Sequence, residues 1–193
     1  WYNGSQNTGK ENSVLTINGG TFSGGLNTIK NDDYGELVIN DGTFTSMSQA
    51  AFLNWNVATV NGGTFDAAGA SNGVILNGYI DGTMDQGKLT INGGTFNAGE
   101  KTVITTMGGG THSGDIEITG GPLNGSIVLT DSSEGARLTI TQKAKVTGNV
   151  TNSGKADVAI TNGATVDGQV SNSADGTMSV VNSTIGSVPE GTT

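Results

Sequence analysis

One pattern returns eight times along this chain, and a chain that repeats a strand-and-turn unit must stack its copies to bury them. Leu15-Thr16-Ile17-Asn18-Gly19-Gly20-Thr21-Phe22 comes back from Leu37, Ala58 and Leu89, each copy ending in Thr-Phe. Weaker copies start at Ile116, Leu138, Val158 and Met178, so successive copies begin 20 to 31 positions apart. Within a copy the order is apolar-x-apolar, a turn, then Thr-Phe or its equivalent. Alternation with period 2 specifies a strand. Gly-Gly and Asn-Gly specify a tight corner, because they admit positive φ. A further apolar element follows, as in Thr28-Ile29, Ala51-Phe52-Leu53, Val74-Ile75-Leu76 and Ile127-Val128-Leu129.

Three short strands in about 20 to 22 residues make one coil of a solenoid. The reading is an all-β, right-handed parallel β-helix of about eight coils, with three short strands per coil. At the usual strand spacing it would span roughly 38 Å. Two inward columns are expected. One is Ile17, Ile39, Val60, Ile91, Ile118, Ile140, Ile160 and Val180; the other is Phe22, Phe44, Phe65, Phe96, Leu123, Val146, Val166 and Ile185. Such thin ladders explain how a chain only 33% hydrophobic, with 33 glycines in 193 residues, can have a core. A propeller would need units of roughly 40 residues. An antiparallel sandwich lacks the fixed spacing, and a left-handed β-helix needs a strict hexapeptide period. Residues 1–193 are read as one domain, with 1–13 a partial coil or N-terminal cap, 14–188 the coils and 189–193 a tail. The chain begins at Trp1 and is read as a section of a longer precursor.

The Leu-Thr-Ile-Asn-Gly-Gly-Thr-Phe repeats resemble the pectate-lyase-like β-helix modules of large surface proteins of Gram-positive gut bacteria. The resemblance implies an extracellular protein, cell-wall anchored or secreted. It implies architecture more than activity, since such modules include lyases, hydrolases, adhesins and passive stalks. A lyase of this kind would need an Arg or Lys base beside calcium-holding carboxylates. The single Arg is Arg137, and no cations cluster around it in sequence. A hydrolase needs carboxylates within about 5 to 10 Å; Asp32-Asp33 is the one adjacent acidic pair and reads as a solvated turn. His112, the single histidine, reads as a loop residue. No catalytic residues and no enzymatic activity are expected.

A net charge of −9 disfavours nucleic acid and anionic membranes, and no apolar run is long enough to insert in a bilayer. With no cysteine there is no thiolate metal site. No cofactor is expected; calcium could be held by turn residues Asp33, Asp131, Asp157 and Asp175. The outward Thr and Asn of the first strand suggest an ice-binding array, but Val38, Glu117, Ala159 and Val181 interrupt it.

Copies differ most at the third corner, and insertions in a solenoid gather on one face that often binds. Tyr34, Trp55, Tyr79 and His112 are expected to align there, with Asp81, Asp85 and Asp115 beside them. Aromatic faces next to polar side chains suit a sugar or a protein hot spot. The expected function is a non-catalytic adhesin recognising a host glycoprotein, glycan or immunoglobulin, with a passive spacer as the alternative.

Overall fold

In the computed structural model the chain is a right-handed parallel β-helix without helices among the described residues, which are 1–4, 13–67, 69–78, 87–107, 114–130, 135–173 and 175–190. Strand β1 (Tyr2–Asn3) pairs with the third strand of the first complete coil. Coil 1 holds β2 (Ser13–Ser23) and β3 (Asn27–Asn31), and coil 2 holds β4 (Gly35–Thr45) and β5 (Ala50–Asn54). Coil 3 holds β6 (Val57–Val60), β7 (Thr64–Asp66) and β8 (Gly73–Asn77). Coil 4 holds β9 (Lys88–Ile91) and β10 (Thr95–Thr106); coil 5 holds β11 (Asp115–Ile118) and β12 (Leu123–Leu129). Coil 6 holds β13 (Arg137–Thr141), β14 (Lys145–Val146) and β15 (Val150–Asn152); coil 7 holds β16 (Asp157–Thr161) and β17 (Thr165–Asn172). Then β18 (Thr177–Val181) and β19 (Thr184–Ser187) open an eighth coil. The eighth copy thus builds two strands among the described residues, and the complete coils are coils 1 to 7. Long strands such as β4 run round a corner and serve two faces.

Every strand pairs in parallel with its counterpart one coil away. Both expected columns form residue for residue: Ile17 lies opposite Ile39, and the series continues to Val180. Phe22 lies opposite Phe44, and that series continues to Ile185. The four phenyl rings stack at centroid distances of 4.9, 4.7 and 4.8 Å, with planes within 9° of parallel. That spacing is the separation of hydrogen-bonded strands, so the coil rise imposes the stacking. On the third face Ile29, Phe52, Ile75, Ile104, Ile127, Val150 and Val170 make a further inward column.

The first corner needs two glycines for two reasons. A Cβ on Gly62 would stand 2.6 Å from the Asn40 carbonyl oxygen, and Gly63 holds φ at +101°. Outside this corner Asn40, Asn61 and Asn92 each donate to the asparagine of the preceding coil, at 2.7, 2.8 and 2.8 Å. These side chains bond one another across the face proposed as an ice-binding array.

A second, buried asparagine ladder lines the third corner. Asn3 Nδ2 donates to Asn31 Oδ1, Asn31 to Asn54 and Asn54 to Asn77, at 2.9, 2.9 and 2.7 Å. The same amides donate to corner carbonyls of the following coil, for example Asn31 Nδ2 to Val57 O at 2.9 Å and Asn54 Nδ2 to Lys88 O at 3.1 Å. Corner carbonyls turned inward therefore find partners, as buried backbone must. The ladder lapses at Thr106 and resumes with Asn152 and Asn172.

Candidate functional site

The outward positions of the third face should be polar by alternation, yet they read Tyr2, Lys30, Leu53, Leu76, Thr105 and Val128. Leu53 and Leu76 are each 5% exposed although they point away from the core. Trp55 and Met107 cover them and form with Ala50 a separate apolar cluster outside the helix.

The corner hydrogen bonds explain this cover. The amides of Asp32, Trp55, Gly78 and Met107 donate to the carbonyls of Asn3, Asn31, Asn54 and Asn77, at 2.8, 2.8, 2.9 and 2.9 Å. These four residues therefore occupy one column, coil above coil. Trp55 and Met107 lean over the sheet from the ends of coils 2 and 4, and Gly78, at the end of coil 3 between them, has no side chain. The result is a groove of about 500 Å³ floored by Leu53 and Leu76. Its walls include Trp1, Tyr2, Lys30, Trp55 and Met107. Asn27 and Gln49 also line it and are bonded to each other, Nδ2 to Oε1 at 2.9 Å. Trp1 is 68% exposed and also sets its ring edge-on to Phe22 at 5.2 Å, capping the phenylalanine column.

At one end of the groove charges converge. Lys30 Nζ lies 2.8 Å from Asp32 Oδ2, 3.7 Å from the centre of a Trp55 ring and 5.5 Å from the Tyr2 ring. The Asp32-Asp33 pair is buried, not the solvated turn expected from sequence. Lys30 and Tyr2 of the outward column meet the Asp32 carboxylate, and its Oδ1 accepts the Asp33 amide at 2.8 Å. Burial pushes the Asp32 carboxyl up, but hydrogen bonds from Lys30, Tyr2 and the Asp33 amide, with the Lys30 charge, bring it below 3.8. The Tyr2 phenol is pushed well above its ordinary value, first by desolvation of its hydroxyl and then by the hydrogen bond and charges of Asp32 and Asp33.

The signs of these shifts set a pH window. A depressed carboxyl stabilises the fold above its unfolded value and loses that contribution as pH falls through the folded one. The raised phenol contributes below 10.0 and loses its contribution as pH rises toward its folded value. Asp32→Asn is therefore expected to flatten the fall of melting temperature below pH 3.8. Equal acid slopes in the two proteins would show that the pair does not contribute.

Of the residues expected on this edge, Trp55 lines the groove. Tyr34 does not share its column: the register sets Asp32 against Trp55, because the coil-2 corner carries extra residues. Tyr34 sits beyond, with φ at +56°, and Asn56 takes the place opposite Gly35, donating to its carbonyl at 2.8 Å. Asp115 belongs elsewhere. It opens β11, lies opposite Arg137 and accepts from that guanidinium at 3.2 Å, an exposed pair worth at most about 1 kcal/mol. Arg137 in turn lies opposite Asp157. Tyr79, Asp81, Asp85 and His112 lie outside the described residues.

Of the carboxylates considered for calcium, Asp33 is in the coil-2 corner, Asp157 on β16 accepts Thr177 Oγ1 at 2.5 Å, Asp175 lies in the corner before β18, and Asp131 lies outside the described residues. Among the described residues no three His, Cys, Asp or Glu side chains form a metal-binding group.

Sequence reasoning passed over Trp1, Tyr2, Lys30, Leu53 and Leu76. The signal for the last two was present: Ala51-Phe52-Leu53 and Val74-Ile75-Leu76 are unbroken apolar runs. On a strand such runs mean that both faces are covered. No family model matches the chain, and no curated protein and no solved structure matches it.

Proposed function

We propose that this chain is a non-catalytic binding module of a bacterial cell exterior, one of the pectate-lyase-like β-helix modules, and that it docks a host glycoprotein in the groove between Trp55 and Met107. One observation carries the reading: an outward face that alternation should make polar is instead a leucine floor walled by aromatic rings. Trp and Tyr beside a desolvated apolar floor are the composition of an interface hot spot. One hydrogen bond joins the groove's two amides, and apart from them and Lys30 its lining is apolar or aromatic, which favours the protein part of such a partner over a free glycan.

The test is a panel of mucin-type glycoproteins and immunoglobulins, with a free-glycan array alongside. The expected result is retention of a glycoprotein, weakened by Trp55→Ala by about 2 kcal/mol or more, roughly thirtyfold. Equal affinity of the two proteins would remove the groove from the reading. The regularity of coils 6 and 7 supports a second reading, a passive spacer, for which neither protein retains anything.

A further inference from the structure

Resting on that reading of the groove, we propose that Tyr2, Trp55 and Asp32 form a lysine-binding cage. The chain's own Lys30 fills it in the free protein, and a lysine side chain of the protein partner displaces Lys30 on docking.

The geometry is that of an ammonium site. Two aromatic rings lie within about 6 Å of Nζ, the range of cation–π attraction, at 3.7 and 5.5 Å. The third wall is a carboxylate with no exposed side-chain surface, 2.8 Å from Nζ. A buried carboxylate left unpaired would be strongly destabilising, so the cage needs a cation at all times. Lys30 meets that need from the rim: its side chain is 25% exposed and stands on the outward column of β3.

Exchanging one primary ammonium for another leaves the charge and desolvation terms of the cage nearly unchanged. The freed Lys30 recovers hydration and rotamer freedom. The incoming segment gains the exposed apolar walls of the groove, Trp1, Tyr2 and Leu26, which are 68%, 55% and 65% exposed. The cage then selects for a lysine, and these exposed walls supply affinity. A chain of net charge −9 also draws basic partners toward it.

The probe is Nα-acetyl-lysine amide, with the norleucine analogue as its uncharged control and glucosamine as the amino-sugar alternative. A site occupied by its own side chain binds more weakly in proportion to the vacant fraction, so Lys30→Met is expected to bind the lysine probe at least about tenfold more tightly than the wild type. Adding Asp32→Asn should abolish that gain. In the wild type, saturating probe should move the Lys30 side-chain resonances out of the Trp55 ring current, a readout that does not depend on the variant folding. No gain in a folded Lys30→Met protein, or unmoved Lys30 resonances at saturation, would overturn the cage. Preference for glucosamine would overturn the assignment to lysine. If Trp55→Ala still weakens glycoprotein binding while these measurements fail, the groove stands and only the cage falls.

Discussion

Phe65→Ala is expected to lower the unfolding free energy by about 3–5 kcal/mol, the usual effect of emptying a phenylalanine site in a core. Phe65 has no exposed surface and lies between Phe44 and Phe96, with ring centres 4.7 and 4.8 Å away. Removing it strips one face from each neighbour. Strand pairing holds each column at its place, so the surrounding coils cannot collapse into the gap without breaking the pairing of β7 with β4 and β10. Urea unfolding followed by circular dichroism reads the effect. Phe65→Leu should lose less, because Leu123 occupies the same column in coil 5. A loss under about 1 kcal/mol for the alanine variant would mean that the phenylalanines do not form a closed column in solution.

Asn54→Leu is the second large effect, and it acts through polarity instead of volume. Asn54 Oδ1 accepts from Asn31, while Nδ2 donates to Asn77 Oδ1, to Lys88 O and, at 3.3 Å, to Asn56 O. Leucine would leave Asn77 Oδ1 and the corner carbonyls without that donor in a buried place. At about 1–3 kcal/mol for each orphaned group, the expected loss is about 3 kcal/mol or more. Asn54→Asp separates hydrogen bonding from packing. Its ionised carboxylate has no proton to donate to the Lys88 and Asn56 carbonyls, so burial and those oxygens raise its folded value. Stability should therefore recover as the pH is lowered through that value. Leu and Asp variants as stable as the wild type would show that the ladder is an ornament of the corner and not its support.

Two columns of this protein were legible in the sequence down to single residues, because register in a solenoid follows the hydrophobic pattern and the pattern recurs. Slipping a strand by one residue would turn Ile39 outward and Val38 inward, and every coil votes against that slip. The buried asparagine ladder was not legible. Asn31, Asn54 and Asn77 recur at 23-residue intervals, but exposed Asn18, Asn40 and Asn61 recur almost as regularly. Spacing does not say which set faces inward. The groove was only half legible. The apolar triplets announced a covered outer face, yet what covers it depends on how each corner folds.

The repeat alone fixed the coil, its three faces and the inward columns, because those properties depend on period and on alternation, both of which are written along the chain. Tertiary structure decided where the aromatic and charged corner residues stand. A difference of one or two residues between successive corners shifts a side chain out of its column, so Asp32, not Tyr34, stacks with Trp55 and meets Lys30. Corner length can be counted in sequence. The path the backbone takes around a corner is settled only by carbonyls and side chains from the coils on either side.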